Sequence, residues 1–127
     1  MHLAPPPPAT ALAFRIAPAT GFSDAVRRMS TKRLTVVAII KAQPGKEEEL
    51  RETLLALVPP TRGESGCLNY DLHVSTEDPA LFVFHENWAS QAHHTAHMAT
   101  PHLQAFLGRA GDLVAEPPQI LLCEGIS

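Results

Sequence analysis

Residues 82–106 read FVFHENWASQAHHTAHMATPHLQAF and hold five of the chain's seven histidines, His85, His93, His94, His97 and His102, beside Glu86 and Trp88. Imidazole is the side chain whose ordinary pKa lets it take up and release a proton near pH 7, so the cluster suits general base catalysis or metal ligation. His93 and His97 stand four apart on one helical face, the spacing that can place two imidazoles on one ion. The metal reading is the weaker: no glutamate lies between them as in an HExxH helix, and a third ligand has to come from His102 or Glu86. His93 and His94 are neighbours and point to different sides, so at least one is a plain surface residue.

His97 and His102 flank the segment Met98-Ala99-Thr100-Pro101. A helix interrupted at Thr-Pro turns its second half inward, which brings both imidazoles near one cavity, where His97 first and His102 second can accept a proton from a hydroxyl group. Strand alternation puts Phe82, Phe84, Glu86 and Trp88 on one face and Leu81, Val83, His85 and Asn87 on the other. A carboxylate in line with three aromatics is unusual. Glu86 is either a solvated or ion-paired strand end or a carboxylate at the mouth of an aromatic-walled pocket.

These residues need a frame to position them. RLTVVAIIKA is a continuous β-branched apolar run, expected as a strand buried on both faces. In QPGKEEELRETLLALVPP three glutamates crowd the first turn, where the helix dipole favours anions, and Leu50, Leu54, Leu57 and Val58 form one stripe before Pro59 and Pro60 stop the helix. GESGCLNYDLHVS alternates, with Leu68, Tyr70, Leu72 and Val74 opposite Asn69, Asp71 and His73, as a half-buried strand does. EDPA turns the chain into LFVFHENW, so strands two and three form a hairpin. Ser90 caps a helix through QAHHTAHM, and Thr100 and Pro101 open another through HLQAFLGRA that closes near Gly108 or Gly111. PPQILLCEG is the fourth strand.

The order is β-α-β-β-α-β, an α+β chain of ferredoxin-like type with one antiparallel sheet and both helical segments on one face. The other face is apolar as well, and one subunit has nothing left to cover it. A homodimer with sheets packed face to face, a dimeric α+β barrel, is therefore expected.

With 127 residues, 45% of them hydrophobic, the chain is one domain in size. Residues 1–32, with APPPPAT and APATGF, have no sustained period and read as a disordered extension or an over-long gene start, Met29 being a natural first residue; the domain is 33–127. ALAF is too short, and too soon broken by Arg15, for a secretory segment, and no membrane span is expected. Cys67 and Cys123 form no CxxC pair, which fits a reduced, cytoplasmic setting. The net charge is −3, and residues 34–127 carry five basic against twelve acidic side chains. Such a domain has few cations with which to displace counterions, so no nucleic-acid partner is expected.

GCLNYDLHV, LFVFHENWAS and AHMATPHLQAF together resemble the antibiotic biosynthesis monooxygenase family, and within it the small quinol monooxygenases of bacteria. The resemblance runs from Leu34 to Glu124, and its most specific part is E-x-W followed by H-x-x-x-P-H. It implies a dimeric ferredoxin-like barrel that oxidises a small phenol or quinol with dioxygen and needs no metal, flavin or haem. It carries over to Asn69, Tyr70, Glu86, Trp88, His97 and His102. The family also includes haem-degrading proteins, but the asparagine they use on the first strand is missing from LTVVAII, and His97 stands where their tryptophan is expected.

The expected catalytic residues are His97, His102 and Glu86. Phe82, Phe84 and Trp88 are expected to wall the substrate site, with Asn69, Tyr70 or Trp88 donating hydrogen bonds to a developing oxyanion. A dimeric module that binds a small aromatic or isoprenoid molecule without chemistry, and an isomerase of the same fold, are the alternatives.

Overall fold

The computed structural model describes residues 32–127. The readings of the proline-rich start and of Met29 lie outside the described residues. Four strands form one antiparallel sheet in the order β2-β3-β1-β4: β1 is Leu34–Lys41, β2 Cys67–Val74, β3 Leu81–Trp88 and β4 Gln119–Cys123. Four helices connect them, α1 (Glu47–Leu55) and α2 (Val58–Arg62) after β1, α3 (Gln91–Met98) and α4 (Pro101–Leu113) after β3. The arrangement is the ferredoxin-like one read from the sequence.

Alternation fixes the two sheet faces. Leu34, Val36, Ala38 and Ile40 of β1 and Phe82, Phe84, Glu86 and Trp88 of β3 are all buried. Leu50, Leu54 and Leu57 from the first helical segment, with Leu103, Phe106, Leu107, Ala110 and Leu113 from α4, complete this core. Burying each large apolar side chain contributes about 1.5–3 kcal/mol. The opposite face is different: Val37, Ile39, Leu81 and Val83 remain half-buried and Leu121 is exposed. β1 is thus fully buried on one face only within a single chain. Among the described residues no helix is long and apolar enough to cross a membrane.

Three local expectations are corrected. The diproline does not simply stop a helix: α1 ends at Leu55, and Pro59 and Pro60 lie in the first turn of α2. Proline is tolerated there because first-turn N–H groups have no intrahelical partner to lose. Helix α4 does not close near Gly108 or Gly111 but runs to Leu113, held by its buried stripe. Leu68 does not share the Tyr70 face, since a bulge between Cys67 and Asn69 shifts the register and leaves it 51% exposed.

Candidate active site

Register centres the site on Glu86, which pairs with Val36 on one side and Tyr70 on the other, in the middle of the helix-covered face. Its carboxylate is 3% exposed, and Oε1 accepts a 2.8 Å hydrogen bond from Trp88 Nε1–H. Burial pushes its pKa up to about 7; the Trp88 bond pulls the other way and the negative charge of Glu64 adds to the rise. Near neutral pH Glu86 can therefore both give and take a proton.

The Ser90 hydroxyl accepts from His93 N–H and starts α3. From that start His94 and His97, three apart, turn inward and are both buried, with ring centroids 5.9 Å apart. His93 instead packs on Gly66, where a Cβ would lie 2.2 Å from His93 Cγ, and its Nδ1 sits 2.9 Å from Ser90 Oγ. The buried face thus pairs His97 with His94, one position away from the i, i+4 pairing with His93.

His97 Nδ1 lies 3.1 Å from both oxygens of Glu64, and His102 Nε2 lies 2.5 Å from Glu64 Oε2. An ionised carboxylate can only accept, so each of these nitrogens carries the proton and His97 Nε2 keeps its lone pair. That Nε2 has no hydrogen bond among the described residues. The Thr-Pro turn sets up the arrangement: Thr100 Oγ1 donates to the His97 carbonyl at 2.8 Å and accepts from Leu103 N–H, which fixes α4 and aims His102 at the same carboxylate. Burial lowers the His97 pKa, while the hydrogen bond and charge of Glu64 oppose that fall. His94 has no such carboxylate, and burial, then His97, brings its pKa down to about 4.

Tyr70, Phe84, Glu86, His94 and His97 line one cavity with Met98 and aliphatic side chains of β1, α4 and β4. It has about 420 Å³ of empty space including its opening, of which about 40 Å³ admits the centre of a water molecule. That is room for roughly three waters, so an aromatic ring enters only if the flexible Met98 thioether and its neighbours give way. Tyr70 is held neutral, its pKa raised well above the ordinary value by burial first and by Glu86 second. It is a hydrogen-bond donor, not a base.

Of the residues expected from the sequence, Glu86, Tyr70, Phe84 and His97 meet at this cavity. Trp88 lies behind the wall, its ring 4.8 Å from His97 and its N–H on Glu86. Phe82 is core, at the far end of β3. His102 reaches the cavity only through Glu64. Asn69 is on the other sheet face, donating to Asp71 Oδ2 and the His85 carbonyl and accepting from Asn87, so it does not reach the cavity of its own chain. Sequence reasoning missed Glu64 and His94. The i, i+3 spacing of His94 and His97 was a usable signal; a lone glutamate in the loop RGESG was not.

Glu86 gives the first prediction. A carboxyl whose folded pKa is about 7 against an ordinary 4.5 binds more protons folded than unfolded between those values, so it costs stability as pH rises through them. His94 acts in reverse: its folded pKa of about 4 against 6.5 costs stability as pH falls through that window. The two slopes oppose each other between pH 4.5 and 6.5. Glu86→Gln, which keeps an acceptor for Trp88, is expected to raise unfolding free energy at pH 8 by about 2–3 kcal/mol and by far less at pH 4.5. Equal gains at both pH values in denaturant titrations would refute the assignment.

Comparison with known proteins agrees with this fold. The antibiotic biosynthesis monooxygenase family matches residues 33–109. The solved structure of PA3566 from Pseudomonas aeruginosa superposes with a TM-score of 0.73 at 36% identity, covering 77% of this chain and 98% of that one. "Putative monooxygenase Rv0793" of Mycobacterium tuberculosis is 32% identical over 68% of this chain and 85% of its own length. "Probable quinol monooxygenase YgiN" of Escherichia coli is 31% identical over 58% and 80% respectively. The chain spans 59% of the length of a Synechocystis relative, sll1783, at 31% identity. The family model over residues 33–109 and the solved relative of the same ferredoxin-like fold place this chain in the antibiotic biosynthesis monooxygenase family.

Proposed function

We propose that the chain oxidises a small quinol or phenol with dioxygen, His97 acting as the base and no metal, flavin or haem taking part in electron transfer. The observation that carries this reading is His97 itself: Nδ1–H is anchored on Glu64, and the unpaired Nε2 belongs to a ring lining an apolar cavity. The quinol monooxygenase name of the Escherichia coli relative supports the substrate class.

Dioxygen is a triplet and reacts slowly with closed-shell molecules, so the protein has to make its substrate a better one-electron donor. His97 Nε2 takes the hydroxyl proton, and Glu64 stabilises the imidazolium that forms. The resulting anion passes one electron to dioxygen, and the radical pair joins as a peroxide at a ring C–H carbon. Protonation by Glu86 and loss of water leave a carbonyl there: one oxygen atom stays in the product and the other leaves as water. Tyr70 O–H, neutral and buried, donates to the developing oxyanion. His94 is the poorer base because its conjugate acid is too strong to hold a proton near pH 7.

Oxygen uptake by chelator-treated protein given a reduced naphthoquinone tests the reading, with the rate of heat-denatured protein subtracted. Uptake that saturates with substrate is expected, and none above autoxidation across several quinols would reject it. An isomerase is the second reading, favoured by Glu86 titrating near 7 in the same cavity as His97. It predicts solvent deuterium in the product and no oxygen consumption.

A second copy of the chain covers the open sheet face, as Val37, Ile39, Val83 and Leu121 would require in water. Light scattering is expected to give twice the chain mass, and Val83→Asp to shift it to the single-chain value. A wild-type protein that scatters as a single chain would remove the dimer.

A further inference from the structure

Glu64, His97 and His102 present three ligand-type atoms that lie within 4.8 Å of one another, the one such set among the described residues. The two imidazoles arrive from different helices and by different nitrogens, Nδ1 from α3 and Nε2 from α4, and both meet the same carboxylate. Among the described residues no lysine or arginine shares it. Arg62, two positions away, donates to Asp71 Oδ1 at 2.8 Å and to the Tyr70 carbonyl at 3.2 Å. Glu86, the other carboxylate of the site, is likewise served only by Trp88 N–H. Among the described residues the site therefore holds two carboxylates and no permanent cation.

We propose that Glu64, His97 and His102 bind a divalent ion of the zinc class, and that the bound ion switches off the base. Imidazole and carboxylate suit Zn²⁺, with bonds of about 2.0–2.2 Å, which puts ligand atoms of a tetrahedral site about 3.3 Å apart. Both Glu64 oxygens are already 3.1 Å from His97 Nδ1, and the 2.5 Å contact to His102 has less than 1 Å to open. His102 is on the partly exposed side, 24% accessible, so an ion and its water have a way in. The ion takes the place of the two shared protons, each of which passes to the other nitrogen of its own ring. Bound through Nδ1, neutral His97 carries its one proton on Nε2, facing the cavity as a donor, and can no longer accept one. Zn²⁺ is redox-inert and opens no alternative route to dioxygen.

The inhibitory half of the proposal rests on the base role of His97; the binding half does not. Full-length protein, freed of metal with chelator, is titrated with Zn²⁺ in a calorimeter and with Co²⁺ while the visible spectrum is recorded. One ion per chain and the intense bands of low-coordinate Co²⁺ are expected, with binding about tenfold or more weaker in His102→Ala and in Glu64→Gln. Crystals grown with Zn²⁺ should show an anomalous peak among His97 Nδ1, His102 Nε2 and Glu64, a readout independent of how either variant folds. Equal binding by wild type and both variants, or a peak elsewhere, would overturn the site. Binding as expected with oxygen uptake undiminished by Zn²⁺ would overturn the switch. A protein that binds Zn²⁺ at this site but never consumes oxygen would keep the site and reject the oxidase reading.

Discussion

Replacing His97 with alanine is expected to lower kcat for quinol oxidation by about 100-fold or more, because no other group at the cavity combines a free lone pair with a carboxylate behind it. Glu86 is half-protonated near pH 7 and His94 gains a proton only near pH 4. Substrate binding should suffer less, since the apolar lining is retained. Glu64→Gln separates positioning from charge: the amide oxygen can still accept from Nδ1–H, but the negative charge that stabilises the imidazolium is gone. Its loss of rate should be intermediate. The pH profile adds a sign. His97 acts unprotonated and burial lowers its pKa, so the acid limb of kcat/KM belongs below the ordinary histidine value of 6.5. Glu64 opposes that lowering, so Glu64→Gln moves the limb further toward acid. A limb that stays in place in Glu64→Gln would detach Glu64 from the base, and His97→Ala with wild-type turnover would remove His97 from the chemistry.

Gly66→Ala is expected to damage the fold more than most substitutions of one hydrogen for a methyl. Gly66 has φ +81°, a conformation that costs a non-glycine residue about 1–3 kcal/mol, and its Cβ would stand 2.2 Å from Cγ and 2.3 Å from Cδ2 of His93. Overpacking of that severity costs about 1–3 kcal/mol more. The Gly66 carbonyl accepts from Ala89 N–H at 2.8 Å, so the backbone cannot simply swing away. A total of about 2–6 kcal/mol follows, enough to lower Tm by more than about 10 °C in a domain of this size. The two causes are separable. His93→Ala in the Gly66→Ala background removes the ring contacts but keeps the His93 Cβ, itself 2.7 Å from the new methyl, so it should recover only part of the steric cost and none of the conformational one, and the pair should couple by about 1 kcal/mol in a double-mutant cycle. Strict additivity would show that the contact with α3 is not what excludes a side chain at Gly66.

This contact explains why part of the site was legible in the sequence and part was not. Element order, the Ser90 and Thr100 caps and the shared face of Phe84, Glu86 and Trp88 depend on local periodicity and capping chemistry, and the structure has them as read. The partners of the histidines depend on which turn of α3 meets β2. That is decided at Gly66, more than twenty residues upstream, where a bare backbone lets His93 close down and rolls His94 and His97 onto the cavity. The role of Glu64 is hidden for the same reason: it stands 33 positions before His97 and 38 before His102, in a loop with no period of its own. Asn69 was named by resemblance rather than by pattern, for its alternation with Tyr70 already put it on the opposite sheet face of its own chain. The ends of α1 and α4 turned on tertiary packing, which carries α4 past two glycines that would stop an isolated helix.

Proton removal from the substrate is the step on which the proposed chemistry depends, and it can be observed without turnover. Chelator-treated protein is mixed under nitrogen with a nitronaphthol, whose hydroxyl is acidic enough for an imidazole to ionise, at a pH where the free analogue is still protonated, and its absorption spectrum is recorded. The wild type is expected to show the red-shifted band of the analogue's anion, saturating with one ligand per chain, and His97→Ala is expected to bind the same ligand without the band. Saturable binding with a neutral-substrate spectrum in the wild type, or an anion band undiminished in His97→Ala, would contradict a deprotonation carried out by His97.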